Sequence, residues 1–275
     1  MTRSGRNWPS AWASLVLQEL RAREALLPPR LLGNPTVLTI LIAQFLVSAT
    51  LLSTAMLLPV FLQLVVCYSA AVSGAFMVPL ILAQMASSIT TGHRMRRTGR
   101  YKRSPQIGFL LLIIAFLLYA TMSATTPPWL IISYFSLHGI ALGLAMAPMT
   151  TAGQNAADFR DLGAFTGTSG FFRSLGGSFG TALLWTVLVL AFGHALLGND
   201  FGFGPEVLRG GPAALAGLPE ATRNAVLPSL TFAFATAFVL AAVIAGLGLI
   251  AVSCLKEIPL RTTLAAAPKS AESAE

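Results

Sequence analysis

Long apolar runs separated by short polar breaks organise this chain. Six stand out, at residues 36–64, 69–91, 105–123, 129–153, 163–193 and 229–254. A helix needs about 20 predominantly apolar residues to cross the hydrocarbon core of a bilayer, so each run is read as a membrane-spanning helix. The first and fifth runs exceed that length, which predicts tilt or extension past the lipid.

Charge follows the same pattern. All ten Asp and Glu residues lie outside the runs, and Arg173 is the only Lys or Arg within one. Charge placed at the centre of a bilayer costs about 2.5–3.5 kcal/mol per residue on insertion scales, which explains the segregation. The chain is 55% hydrophobic and 10% charged, whereas a soluble domain carries about 25% charged residues. The fold class is therefore an all-α polytopic membrane protein. The net charge of +8 does not indicate a nucleic-acid partner, because the bases flank the spans. Cys67 and Cys254 end different spans on opposite sides, so no disulfide is expected. No Cys/His spacing suggests a metal site, and nothing calls for a cofactor.

The distribution of bases also sets an orientation. The stretch "GHRMRRTGRYKR", residues 92–103, holds six of the eighteen Lys and Arg residues. Residues 1–35, the 92–104 loop, the 154–162 loop and the tail from 255 fall on one side of a six-span chain. They carry five, six, one and three bases, fifteen in all, against Arg209 and Arg223 on the other side. Cytoplasmic loops carry the excess of Lys and Arg, so both termini and the basic loop are predicted to be cytoplasmic. Three segments result: a cytoplasmic 1–35, a transmembrane bundle over 36–255 and a disordered tail over 256–275. Residues 8–17, "WPSAWASLVL", are too short to span and are broken by Pro9. Residues 194–228 are rich in Gly and Pro, which predicts a mobile external loop and a short surface helix near 219–227.

Gly92, Arg97, Gly99, Arg100 and Lys102 resemble the "G-x-x-x-D-R-x-G-R-x" cytoplasmic loop of the major facilitator superfamily, with Arg96 at the motif's Asp position. Longer stretches agree, including "LLPVFLQLVVCYSAAVSGAFMVPL", "GIALGLAMAPMTTAGQNAADFRDLGAFTGTSGFFRSLGGSFGTALL" and "KEIPLRTT". In order, they resemble the C-terminal part of fourteen-span drug/proton antiporters of the EmrB/QacA type. The resemblance covers about residues 20–263 and implies six helices that form one half of such a transporter. It implies multidrug or small-molecule efflux at the plasma (inner) membrane rather than enzyme activity. The partners implied are the lipid bilayer, a small lipophilic or cationic substrate, protons, and a missing N-terminal half or a second copy. Residues 1–35 would then include the remnant of a preceding span. An inactive fragment or non-transporting subunit is the alternative, because the family's membrane acid has no counterpart here.

The superfamily lines its cavity with the first and fourth helices of each half. Here the first span carries Gln44, Ser48 and Thr50, and the fourth carries Ser133, Tyr134, Ser136 and His138. Gln44, Ser48, Tyr134 and His138 are the candidates for a substrate path; interhelical hydrogen bonds are the competing use of such residues. Arg173 is expected to play a structural part by pairing with Asp158 or Asp161. Gly139/Gly143, Gly163/Gly167 and Gly176/Gly180 are small-xxx-small pairs suited to close helix contact. Pro59, Pro79 and Pro148 remove backbone hydrogen bonds and are expected to kink their helices. The stretch "GTSG" at 167–170 also matches the G-x-S-G of intramembrane serine proteases, with Ser169 as nucleophile. That chemistry needs a histidine base two helices later, and the sixth run has none.

Overall fold

A computed structural model describes residues 29–196 and 220–255. After a four-residue helical turn at Pro29–Leu32, the first long helix, α1, runs over Pro35–Leu64. Asn34 starts it: its side-chain oxygen accepts from the N–H groups of Thr36 and Val37 at 3.0 and 3.4 Å. Pro35 at the first helical position has no N–H to leave unpaired. The second span has two parts, Ala70–Ala75 and α2 over Met77–Thr98. The remaining spans are α3 (Arg103–Ala120), α4 (Pro128–Ala156), α5 (Leu162–Ala195) and α6 (Glu220–Ser253). A 3₁₀ turn at Phe159–Asp161 precedes α5. All six spans are long and apolar enough to cross a membrane.

Three boundaries depart from the sequence reading for physical reasons. α2 runs on past residue 91 to Thr98, because Arg96 and Arg97 in its last turn complement the negative end of the helix dipole. Gly99 then ends it in the left-handed conformation, φ 67°, with its N–H bonded to Met95 O. A Cβ would strain that conformation, so glycine is required there. Pro79 is the third residue of α2, and the break falls at Phe76, not at the proline. The proline ring excludes the carbonyl four residues earlier, that of Ala75, where the preceding helix stops. α6 begins at Glu220 and continues through Pro228 as one helix, so 220–227 is not a separate surface helix. Pro59 and Pro148 lie inside α1 and α4. The expectations for residues 1–28, 197–219 and 256–275 lie outside the described residues.

The spans pack in matched pairs. α1 lies against α5 and α2 against α4, while α3 bridges α4 and α6, and α6 also touches α1 and α5. Exchanging α1–α3 for α4–α6 reproduces this map, the pattern of an inverted three-plus-three repeat. One pair breaks the symmetry: α5 and α6 pack together, whereas α2 and α3 barely touch. Glycines set the closest approaches. A Cβ on Gly139 or Gly143 would overlap the α2 backbone at Leu80 and Gln84, and one on Gly176 or Gly180 would overlap α1 at Phe45 and Ala49. An aromatic layer of Phe61, Phe116, Tyr119, Phe135, Phe234 and Phe238 joins α1, α3, α4 and α6, with ring centroids 5.3–6.3 Å apart.

Candidate functional site

Two groups of buried polar side chains stand out inside this apolar bundle. Gln44 anchors the first, a third of the way along α1 and 1% exposed. Its Oε1 accepts a hydrogen bond from Ser169 Oγ on α5, and its Nε2 donates to Thr150 Oγ1 on α4 at 3.5 Å. One amide therefore ties three helices together, which suits its two-sided hydrogen-bonding capacity. Ser48, one turn further on, is buried beside it. The neighbouring hydroxyls turn back to their own helix: Thr50 donates to Val47 O, Ser53 to Ala49 O and Thr54 to Thr50 O. Such back-bonding satisfies a hydroxyl without a partner helix.

This geometry removes the protease reading. Ser169 donates its proton to a carboxamide, which has no basicity to activate a nucleophile. His138 lies elsewhere, bonded to Tyr119.

His138 forms the second site. It is fully buried on α4 within the aromatic layer, with Phe116 and Tyr119 ring centroids at 5.1 and 5.6 Å. Tyr119 Oη lies 3.1 Å from His138 Nδ1 and also donates to Tyr134 O at 3.4 Å. Among the described residues, His138 Nε2 has no hydrogen-bond partner. Tyr134 is half-buried beside this pair. The imidazole faces α3, away from the α1–α5 contact, so Gln44 and His138 belong to separate sites.

The basic loop forms the third feature. Within it, Tyr101 is 1% exposed and fixes the loop to the bundle, while Arg96, Arg97 and Arg100 are exposed and Lys102 is half-exposed. Arg96, at the motif's Asp position, meets His93 Nδ1 at 3.1 Å. Gly92 has open space where a Cβ would sit, so within this chain only Gly99 of the two motif glycines is sterically required. Arg173 is exposed and lies roughly 16 Å along α5 from Leu162 at 1.5 Å per residue. That separation puts it beyond reach of Asp158 and Asp161, and the expected ion pair does not form.

α5 also presents a face that no neighbour covers among the described residues. Gly163, Gly167, Ser174, Ser178 and Ala182 are exposed at three- and four-residue spacing, with half-buried Gly170 among them. A Cβ added to Gly163, Gly167 or Gly170 would meet nothing, unlike one on Gly176 or Gly180. The sequence reading missed the partners Ser169, Thr150 and Tyr119. Tyr119 carried a signal, as a polar ring at the end of an otherwise apolar run.

Comparison with known proteins agrees with the fold. The family model described as Major Facilitator Superfamily matches residues 3–181. An uncharacterized MFS-type transporter of Mycobacterium tuberculosis is 37% identical over 157 residues, 57% of this chain and 23% of that protein. The multidrug transporter protein MdtP of Bacillus subtilis is 30% identical over 161 residues, 58% of this chain and 29% of that protein. A tetracycline resistance determinant of Streptomyces rimosus is 31% identical over 149 residues, 54% of this chain and 43% of that protein. The chain thus spans less than half the length of these curated relatives.

Proposed function

Because this chain belongs to the Major Facilitator Superfamily, we propose that it forms one six-helix bundle of a transporter that exports small lipophilic or cationic compounds. Alternating access rocks one bundle against another around a shared site, and this chain supplies one. The observation that carries the reading is the uncovered face of α5. Small and hydroxyl side chains at Gly163, Gly167, Ser174 and Ser178 form a strip beside exposed Phe171, Leu175 and Phe179; the strip suits close helix packing or a polar cavity wall, and the aromatic edge suits a lipophilic compound. The substrate path runs along this face, between the bundle and its partner. Gln44 stands behind it and ties α1 to α4 and α5, with Ser48 buried beside it; Tyr134 and His138 shape α4. The printed functions of the multidrug and tetracycline-resistance relatives support the substrate class. Coupling to protons falls to the partner bundle, because no Asp or Glu lies within the six apolar runs.

The orientation proposed is plasma-membrane, with both termini cytoplasmic. Cys67 and Cys254 are exposed, unpaired and at opposite ends of the bundle. Impermeant thiol reagent added to intact cells should label Cys67 and spare Cys254, and the reverse pattern would refute the orientation.

Dye efflux from energised vesicles tests the function. The chain alone should give no protonophore-sensitive ethidium efflux. Co-expression with an N-terminal bundle carrying a membrane acid should restore it, and ethidium should then protect Ser178→Cys from thiol reagent. Robust efflux by the chain alone would overturn the single-bundle reading in favour of a homodimer.

A further inference from the structure

The basic loop does more than its topological role requires. Beside it, where α2 and α3 diverge, lies a cleft of about 690 Å³. Arg94, Arg100 and Arg103 converge on it, with the hydroxyl-bearing Thr91, Thr98 and Ser104 between them. Leu144 of α4 and Ile107 of α3 form its apolar wall. Among the described residues no carboxylate lines it; Asp158 and Asp161 sit in the α4–α5 connection. A second cleft of about 510 Å³ opens on the other side of Arg94 and adds Arg97. Topology is satisfied by cations anywhere in a cytoplasmic loop. Gathering three guanidinium groups around one cavity adds mutual repulsion that an anion relieves.

We propose that this cleft binds the phosphate of an anionic phospholipid, with its acyl chains lying along α2 and α3. Guanidinium forks match phosphate oxygens two at a time, and the hydroxyls complete the shell. Basic pockets between membrane helices at the cytoplasmic side are suited to lipid head groups. The apolar path away from the cleft selects a lipid over free phosphate. Exposed Met85 and Ile89 on α2 and exposed Ile107, Leu110 and Ile114 on α3 continue from the arginines into the membrane span. α2 and α3 barely touch along this path, whereas the matching helices α5 and α6 pack against each other. The site therefore belongs to one half of the repeat only.

Native mass spectrometry of the purified full chain, after exchange from phosphatidylcholine into mixed phosphatidylcholine and phosphatidylglycerol, provides the test. Phosphatidylglycerol should remain bound and raise the melting temperature, phosphatidylcholine should not, and inorganic phosphate should compete weakly. R94Q/R100Q/R103Q should lose most of the retained phosphatidylglycerol, while R160Q, which removes an exposed charge elsewhere, should keep it. A photoactivatable phosphatidylglycerol on the unmodified chain removes dependence on the folding of the triple variant: crosslinks should fall within residues 85–110. Equal retention by the triple variant, crosslinks spread evenly over α5 and α6, or phosphate binding as tightly as the lipid would each overturn the proposal.

Discussion

The α1–α5 and α2–α4 contacts are the same joint built twice, and they are finished differently. Each brings two backbones together through a glycine pair, Gly176 and Gly180 against Phe45 and Ala49, and Gly139 and Gly143 against Leu80 and Gln84. The first joint adds a buried side-chain pair, Gln44 with Ser169, extended to Thr150. The second has a single hydroxyl, Ser87, donating to the Ile140 carbonyl at 2.8 Å. A side-chain pair fixes the register of both partners, because either hydroxyl or amide loses its bond if one helix slides. A hydroxyl on a carbonyl tolerates more. The α1–α5 joint is thus the more exactingly specified, and it carries the helix whose uncovered face we assign to the substrate path.

The largest expected effect comes from the glycines. Gly176→Leu and Gly139→Leu each force a side chain into the facing helix backbone, and overpacking of this kind costs about 1–3 kcal/mol or more. Both variants should lose monodisperse folded protein on size exclusion in detergent. If Gly139→Leu behaves like the unmodified chain while Gly176→Leu does not, the two joints are not equivalent.

Next comes the side-chain pair. Gln44→Leu should destabilise by about 0.6–2 kcal/mol, the range measured for interhelical hydrogen bonds. Ser87→Ala should fall at the low end of that range. A thermal-stability double-mutant cycle of Gln44→Leu with Ser169→Ala should show positive coupling, and additive losses would deny the bond its structural role.

Gly99→Ala should cost about 1 kcal/mol from left-handed strain, while Gly92→Ala should stay within about 0.5 kcal/mol. Equal losses would mean that the chain meets Gly92 in a way the six-helix bundle does not show.

The smallest effect is expected in the aromatic layer. Replacing both partners of a buried hydrogen bond by apolar groups of similar shape is close to neutral, so Tyr119→Phe with His138→Phe should melt near the parent. His138→Phe also removes the unpartnered Nε2. A marked stability loss in the double variant would show that the Tyr119–His138 bond holds α3 to α4.

Much of this molecule is readable from its sequence, because a bilayer imposes a one-dimensional rule. Apolar length and charge exclusion place six spans over 36–64 through 229–254, and they do so without knowledge of any neighbour. The basic loop and Gly99 are equally local, since a helix end must be capped by whatever follows it in the chain. Burial in the tertiary structure decided the rest. Gln44 and His138 look alike in sequence, as lone polar residues in apolar runs. Only the packing shows that one ties three helices together while the other sits in an aromatic cage with a nitrogen unpaired. Gly163/Gly167 and Gly176/Gly180 share one spacing on one helix, yet the second pair meets α1 and the first meets nothing. Spacing records which residues share a helix face, and it cannot say what stands opposite. That depends on how α1–α3 and α4–α6 fold back on each other across the bundle.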